Sequence, residues 1–288
     1  MNILSIQSHV SYGYVGNKAA TFPLQSLGFD VWPINTVQFS NHTGYGQWQG
    51  DIFSPQHIRA VIQGLESLDL AKQCDAILSG YIGDKAIGEV IIETVNRFRK
   101  FNPSLLYLCD PVMGDPGGKG CFVKKDIPHF FREHSITVAD IITPNHFEAE
   151  ILWGEKINTL QQLQQACSFF HTKGVSIVII TRLQLKNHDD SEDYSAFLSI
   201  KNDRQWLAST PGIKLTHAIN GSGDLFSALY LGHFLLTKDP VVAFTQAMNT
   251  TYKIIEATAK AKQRELKIIG HNYCDLYPNT ITLRSLEQ

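Results

Sequence analysis

The sequence predicts an α/β fold in a single domain, a mainly parallel central sheet flanked by helices on both faces. Three observations carry that prediction. Short apolar runs such as residues 105–109 and 176–181 alternate with longer amphipathic stretches such as 57–68 and 87–100, the pattern of parallel strands joined by crossover helices. Polar residues fall repeatedly at the ends of those runs: Ser8, Asp110, Thr143 and Asn145, Thr181. Open α/β sheets collect their ligands at such strand ends. No linker, internal repeat or low-complexity tract interrupts the 288 residues, so 1–288 is expected to be one domain.

Each element has a local reason. Residues 2–7 are a β-rich run, and 8–17 a glycine-punctuated loop. A helix over 19–27 stops at Gly28, a plausible C-terminal signal. A strand covers 31–36, and 39–48 is a polar, aromatic loop with little regular structure expected. Helices at 57–68 and 87–100 bracket a strand at 76–79, and the second closes at Asn102-Pro103. Strand 105–109 ends at Asp110-Pro111; strand 140–143, helices 147–153 and 160–172, and strand 176–181 continue the alternation. The polar stretch 186–194 is a turn or loop, and 196–200 with 204–209 suggests an antiparallel pair. Asp239-Pro240 supplies a cap and a first-turn proline for a helix running to about Lys260.

Composition narrows the function. With 43% hydrophobic and 18% charged residues the chain is an ordinary globular protein. A net charge of −2 argues against nucleic acid or an anionic membrane as partner. No apolar run approaches the roughly 20 residues that span a bilayer, and residues 1–7 look like a strand rather than a signal peptide. Five scattered cysteines (74, 109, 121, 167, 274) lack the spacing of a zinc site. Reduced thiols in a cytoplasmic protein are the simplest account.

The chain is organised around residues 218–232, A-I-N-G-S-G-D-L-F-S-A-L-Y-L-G. Leu225, Phe226, Ala228, Leu229, Leu231, Leu235 and Leu236 cover enough of the circumference to predict a buried helix. Gly221 and Gly223, on either side of Ser222, allow a ligand close to the main chain. Free amides at the helix start, backed by the dipole, bind anions and phosphate above all. Asp224 reads either as an N-terminal cap or as a base that takes a proton from a hydroxyl while the amides hold the phosphoryl group. In the second reading the amides and dipole are expected to keep it ionised.

Other motifs also have two readings. Asn145-His-Phe-Glu148, after Thr143-Pro144, fits a capping box or part of the Mg²⁺ site of a nucleoside triphosphate. Asp110 is the second carboxylate in the latter reading and a turn residue in the former. The loop 114–120, G-D-P-G-G-K-G, is neither a P-loop nor a dinucleotide fingerprint. It is a flap over phosphates, with Lys119 as a contact, or a surface loop. Phe39, His42, Thr43, Tyr45 and Tyr81 offer flat faces and hydroxyls for a small aromatic ring, although each aromatic alone fits core packing. Cys121 has no assignable basic partner and is read as structural.

Asn220-Gly-Ser-Gly-Asp224 resembles the anion-hole signature of the ribokinase-like small-molecule kinases, and Asn145-His-Phe-Glu148 resembles their N-x-x-E magnesium motif. Ser5-Ile-Gln-Ser-His-Val10, Gly13-Tyr-Val-Gly-Asn17, Ser79-Gly-Tyr81 and Cys109-Asp-Pro-Val-Met-Gly-Asp115 resemble the pyridoxal kinase branch, and the likeness runs from Met1 to at least Pro278. The resemblance implies ATP-dependent phosphorylation of the 5′-hydroxymethyl group of pyridoxal, extending to pyridoxine and pyridoxamine. It implies that Ser8 and Thr43 contact the substrate, that Val15, His42 and Tyr81 line its pocket, and that Asp224 is the base. The amides of Gly221, Ser222, Gly223 and Asp224 become the anion hole. Asp110 and Glu148 organise Mg²⁺ through water, with Asn145 near the phosphates. Thr143, Thr181 and Asp115 fall near ATP and a monovalent cation, potassium, with Arg182 on the nucleotide and Thr210, Pro211, Gly212 and Ile213 bordering adenine. A homodimer is implied as well. The chain departs from the bacterial pattern at Thr181, where lysine is usual, and at Gly44, where glutamine is. Two rivals remain: a kinase of the same fold acting on hydroxymethylpyrimidine or another small alcohol, and a carrier of pyridoxal phosphate without catalysis.

Overall fold

Successive strand residues point into two different cores. Leu4, Ile77, Tyr107 and Val178 belong to one and Ile3, Ala76, Leu108 and Ile177 to the other, the period-two alternation of a sheet buried on both faces. The computed structural model describes residues 1–115, 120–185, 194–273 and 280–286, with Asp115 described by its main chain only. The flap residue Lys119 and most of the 186–194 loop lie outside the described residues.

In chain order the elements are β1 (Asn2–Val10), α1 (Asn17–Ser26), β2 (Asp30–Phe39), β3 (Gly50–Ile52), α2 (Pro55–Ser67), β4 (Cys74–Ser79), α3 (Lys85–Phe101), β5 (Leu106–Cys109), β6 (Gly114–Asp115), β7 (Gly120–Cys121), α4 (Ile127–Phe130), β8 (Ile141–Ile142), α5 (His146–Trp153), α6 (Leu160–Thr172), β9 (Ile177–Ile180), β10 (Tyr194–Ile200), β11 (Gln205–Thr210), α7 (Ser222–Thr237), α8 (Pro240–Lys260) and β12 (Thr282–Leu286). Among the described residues ten strands form one sheet, ordered β12-β11-β10-β9-β8-β5-β4-β1-β2-β3. The middle, β2 through β9, is parallel, and β3 and β10–β12 are antiparallel additions at the two edges. Helices α2 to α6 supply one core, with Ile58, Phe98, Phe130, Ala149 and Phe170, and α1, α7 and α8 the other, with Ala20, Leu229 and Phe244. The predicted α/β sheet with helices on both faces, the ribokinase-like architecture, is therefore present.

Helix starts follow their caps. Ser54 accepts from the His57 N–H ahead of α2, with Pro55 in the first turn. Thr159 and Gln162 complete a capping box on α6. Asp239 accepts from the Val241 and Val242 amides at the head of α8. Each such cap satisfies donors that the helix ladder leaves open.

Several expectations need correction. β1 runs on to Val10, so Ser8 lies within the strand and not in a loop after it; the register with β2 shifts between Gln7 and His9, and such irregularities re-aim a side chain near a site. The loop 39–48 holds a 3₁₀ turn at Thr43–Tyr45 and leads into β3. A two-strand hairpin, β6 with β7, brackets the flap. Helix α4, its continuation over Phe131–Ser135, and β12 have no counterpart in the sequence reading. In α7, Leu236 is 50% exposed, because the last turn emerges from between its neighbours.

The sheet also has a reversal. The chain goes from β1 to β2 on one side of it, and β4, β5, β8 and β9 then extend from the other side. The carboxyl ends of β1 and β4 thus meet at a topological switch point, where such sheets open a ligand crevice.

Phe98 on α3 is fully buried, and its truncation leaves a cavity. We expect Phe98→Ala to cost about 3–5 kcal/mol of stability, measured as a lower urea midpoint at unchanged m-value.

Candidate active site

Gly221 is the residue that turns the chain into α7. It has φ +84 and caps the helix without a side-chain bond, and a Cβ there would lie 1.8 Å from the Tyr14 carbonyl oxygen. Only glycine combines that left-handed backbone with so close an approach. The first helical bond of α7 runs from Leu225 N–H to the Gly221 carbonyl, so the amides of Ser222, Gly223 and Asp224 precede the ladder. A Cβ on Gly223 would meet nothing within 4 Å, which leaves that face open to a ligand.

Asp224 is therefore not the cap; it sits in the first turn, partly buried. Its carboxylate accepts from the Gly16 main-chain N–H and its own, yet burial outweighs both and raises the pKa to about 6. The amides do favour the charged form, as expected, and Asp224 stays ionised at neutral pH, but the net shift is upward. Withdrawal from water costs the anion more than two N–H groups return.

Asp110 lies close enough to feel that charge. It is 4% exposed, at the end of β5, and burial pushes its carboxyl well above the ordinary range, with the Glu148 and then the Asp224 carboxylates adding repulsion. Ser227, one turn after Asp224, donates to Asp110 Oδ2 at 2.9 Å, and its Oγ is 2.8 Å from Thr143 Oγ1. Sequence reading missed Ser227; its spacing of three from Asp224, on the same helix face, was the available signal.

Asn145 and Glu148 form the capping box: Glu148 N–H donates to Asn145 Oδ1 at 3.0 Å, and Asn145 N–H donates to Glu148 Oε2 at 2.9 Å. Glu148 Oε1 also accepts from Met113 N–H at 2.8 Å and Gly114 N–H at 3.3 Å, and Asn145 Nδ2 donates to the Gly114 carbonyl at 2.8 Å. The pair thereby ties α5 to the strand that opens the flap. Among the described residues no three His, Cys, Asp or Glu side chains are grouped to hold a metal ion.

The nucleotide candidates gather on the same rim. Thr181 bridges to Asn145 at the end of β9, and Arg182 follows with φ +53. Tyr194, unforeseen, hydrogen-bonds the Thr181 side chain and the Arg182 main chain. Thr210 is 3% exposed and its Oγ1 donates to the Tyr194 carbonyl at 3.3 Å; Pro211 and Gly212 are exposed and Ile213 is half-buried.

On the other side, Val10, Val15, Val37 and Phe39 make a small core with Tyr81 packed against it. Ser8 is 9% exposed, and a Cβ on Gly16 would lie 2.4 Å from its Oγ. Thr43 is exposed on its 3₁₀ turn, where His42 Nδ1 accepts from Gly44 N–H at 3.2 Å. Burial lowers the His42 pKa, Glu265 opposing and Arg264 adding to the shift, so the ring is neutral at pH 7. A cleft of about 800 Å³ is lined by Tyr12, Ser40, Asn41, Tyr45, Gly46 and Gln47. It meets the 3₁₀ turn at Tyr45 and shares no residue with the 221–224 turn, so it is not taken as the reacting centre. Cys121, exposed and free, has no part in the site.

A glycine turn whose amides precede the helix ladder, a carboxylate beside it and an apolar seat fit a small-molecule kinase of the ribokinase-like class. The sequence profile of the phosphomethylpyrimidine kinase family matches residues 45–268. Pyridoxal kinase PdxY of Rubrobacter xylanophilus is 42% identical over 94% of this chain and 92% of its own, and PdxY of Corynebacterium diphtheriae 43% identical over 96% of each. The pyridoxal kinase of Leishmania donovani, solved with ADP and pyridoxamine, superposes with a TM-score of 0.90 at 32% identity over 99% of both chains. The chain belongs to the pyridoxal kinase family.

Gly221→Ala tests the turn. The strained backbone costs about 1–3 kcal/mol, and displacement of the amides should lower kcat about 100-fold, the loss typical of one misplaced oxyanion donor. Steady-state kinetics beside a melting curve separates the two effects.

Proposed function

We propose that this chain transfers the γ-phosphoryl group of ATP to the 5′-hydroxymethyl group of pyridoxal, and also to pyridoxine and pyridoxamine, yielding pyridoxal 5′-phosphate in the first case. One observation carries the reading: the Asp224 carboxylate stands at the mouth of a turn whose amides precede the helix ladder and whose Gly223 face is open. The ADP complexes of the Leishmania relative with pyridoxamine and with pyridoxine support it.

The pyridine ring lies against Val15, His42 and Tyr81, with Ser8 and Thr43 as its polar contacts and the buried side chains of Val10, Val37 and Phe39 backing the seat. The hydroxymethyl oxygen then faces Asp224, which accepts its proton as the bond to phosphorus forms. Phosphoryl transfer is loose and needs positioning and charge stabilisation more than covalent help. The amides of Ser222 and Gly223 hold the oxygens of the moving group, and the N-terminus of α7 adds its dipole. ATP lies along the rim of Thr143, Asn145, Thr181 and Arg182, with adenine beside Thr210, Pro211, Gly212 and Ile213.

Mg²⁺ fits the donor set. Magnesium needs only one or two carboxylates beside phosphates and waters, and Asp110, held toward its neutral form by burial and then by the Glu148 and Asp224 carboxylates, would gain from a cation beside it. When bound, it neutralises charge on the phosphates. Potassium is the cation proposed near Thr143 and Thr181; the Asp115 side chain, its third partner, lies outside the described residues. The reading includes a cytoplasmic homodimer, which light scattering at twice the chain mass checks. No helix among the described residues is long and apolar enough to cross a membrane. The match to the phosphomethylpyrimidine kinase family supports one second reading, a substituted pyrimidine alcohol as acceptor; ATP consumption with pyridoxal and with hydroxymethylpyrimidine distinguishes the two.

Asp224→Ala should remove nearly all turnover with little change in pyridoxal affinity. Retention of more than about a tenth of wild-type kcat, a barrier change under 1.4 kcal/mol, rules out the base. The acid form of Asp224 cannot take a proton. With its pKa raised to about 6, kcat/KM should hold above that pH and fall toward tenfold per unit below it. A flat acid limb down to pH 5 contradicts this assignment.

A further inference from the structure

Two side chains outside the proposed chemistry join the loops on either side of the substrate seat. Glu265 follows α8 in the sequence. Its Oε2 accepts from Tyr14 N–H at 3.1 Å and its Oε1 from the Tyr45 hydroxyl at 2.5 Å. Neighbouring Arg264 lays its guanidinium 3.6 Å from the centroid of the Tyr45 ring, and its Nη2 is 3.4 Å from the Gly44 carbonyl. Tyr12 meets the edge of the same ring at 6.1 Å. One carboxylate thus holds both turns, with cation–π and hydrogen-bond support from its neighbour.

The details favour a built arrangement over a chance surface contact. Gly13 has φ +93, and a Cβ there would lie 2.3 Å from Glu265 Oε2, so the carboxylate reaches Tyr14 only because position 13 has no side chain. Glu265 is itself anchored: the next residue, Leu266, and then Ile268 are buried in the α1–α7–α8 core, and Lys267 N–H donates to Thr258 Oγ1 on α8 at 2.9 Å. Rigid backing of this kind is what a positioning group requires.

Each tied loop carries site residues. The Gly13–Gly16 turn presses the Tyr14 carbonyl against Gly221, presents Val15 to the ring seat and points the Gly16 N–H at Asp224. The other turn carries His42 and Thr43, and a methyl on Gly44 would come within 3.9 Å of the Asn220 amide. The distance between the turns therefore sets the width of the seat and the place of the alcohol before Asp224.

We propose that Glu265, braced by Arg264, is a positioning residue that clamps the Gly13–Gly16 turn to the Thr43–Tyr45 turn and so governs affinity for the alcohol substrate and not for the nucleotide. The inference rests on the reading of that seat as the pyridoxal site. A merely structural Glu265 would lower stability and leave the ratio of the two Michaelis constants alone.

The test compares wild type, Glu265→Ala, Glu265→Gln, Tyr45→Phe and the Glu265→Ala/Tyr45→Phe double variant. Glu265→Ala should raise KM for pyridoxal about tenfold, with KM for ATP within twofold. Glu265→Gln should recover most of the loss, because its amide oxygen accepts from Tyr14 and its NH₂ donates to the Tyr45 oxygen. Tyr45→Phe, which deletes a single oxygen, should give a smaller rise, and should add little to Glu265→Ala because the two changes break one link. Hydrogen exchange at the Tyr14 amide, read without substrate, should quicken in Glu265→Ala. An unchanged pyridoxal KM, an equal loss toward both substrates, failure of glutamine to rescue, or unaltered Tyr14 exchange overturns the clamp. Should Glu265→Ala fail to fold, Tyr45→Phe carries the same split. A wild-type protein that leaves pyridoxal unphosphorylated sinks the functional reading alone, since the amide exchange still judges the clamp.

Discussion

The close packing of the Tyr14 carbonyl on Gly221 is the constraint on which the rest of the site depends. A carbonyl oxygen occupies the space where any other residue would carry its Cβ, and the backbone at 221 is left-handed. Together these make α7 start abruptly, with three amides ahead of its first helical bond. The same contact fixes the loop from Gly13 to Gly16 beside Asp224, so an N-terminal segment and a helix more than 200 residues later share one active centre. Glycine adopts this conformation without strain, and the turn is held by the packing of α7 with α1 and α8 in a single core.

Three carboxylates crowd this rim, and each meets its charge differently. Glu148 is 3% exposed but accepts from the Asn145, Met113 and Gly114 amides, which suits an anion. Asp110 is buried and has two carboxylate neighbours against a single hydroxyl donor, Ser227, so its proton is held well above the usual range. Asp224 lies between, ionised at neutral pH yet shifted toward protonation. That gradation matches the parts proposed for them: a scaffold, a group that gains from an arriving cation, and a base able to release its proton again. Functional sites concentrate such perturbations because burial and like charge are what tune them.

How much of this was legible varies with range. Long helices lie where the sequence placed them, such as α6 at Leu160–Thr172 and α8, announced by its Asp239-Pro240 cap. Some short elements did not announce themselves: β3, the β6–β7 hairpin, α4 and β12 are too short for a period to emerge and lack the compact apolar run that marked β5 and β9. Asn145 and Glu148 were read as cap or as metal site, and the cap is present. The alternatives were not exclusive, because a capping carboxylate can also tie down the neighbouring strand. Ser227 and Glu265 escaped notice since their partners are 117 and 251 residues away.

The sequence by itself determined the α/β class, the alternation of two cores, most helix boundaries and the Gly-Ser-Gly-Asp turn. These follow from periodicity, capping and glycine conformation, all of which act over a few neighbouring residues. Tertiary structure alone decided the direction of the Asp224 shift, the Thr143–Ser227–Asp110 chain and the bond from Glu265 to the two substrate turns. Desolvation and long-range hydrogen bonds depend on which distant segments come together and how much water they exclude, and no local pattern records that.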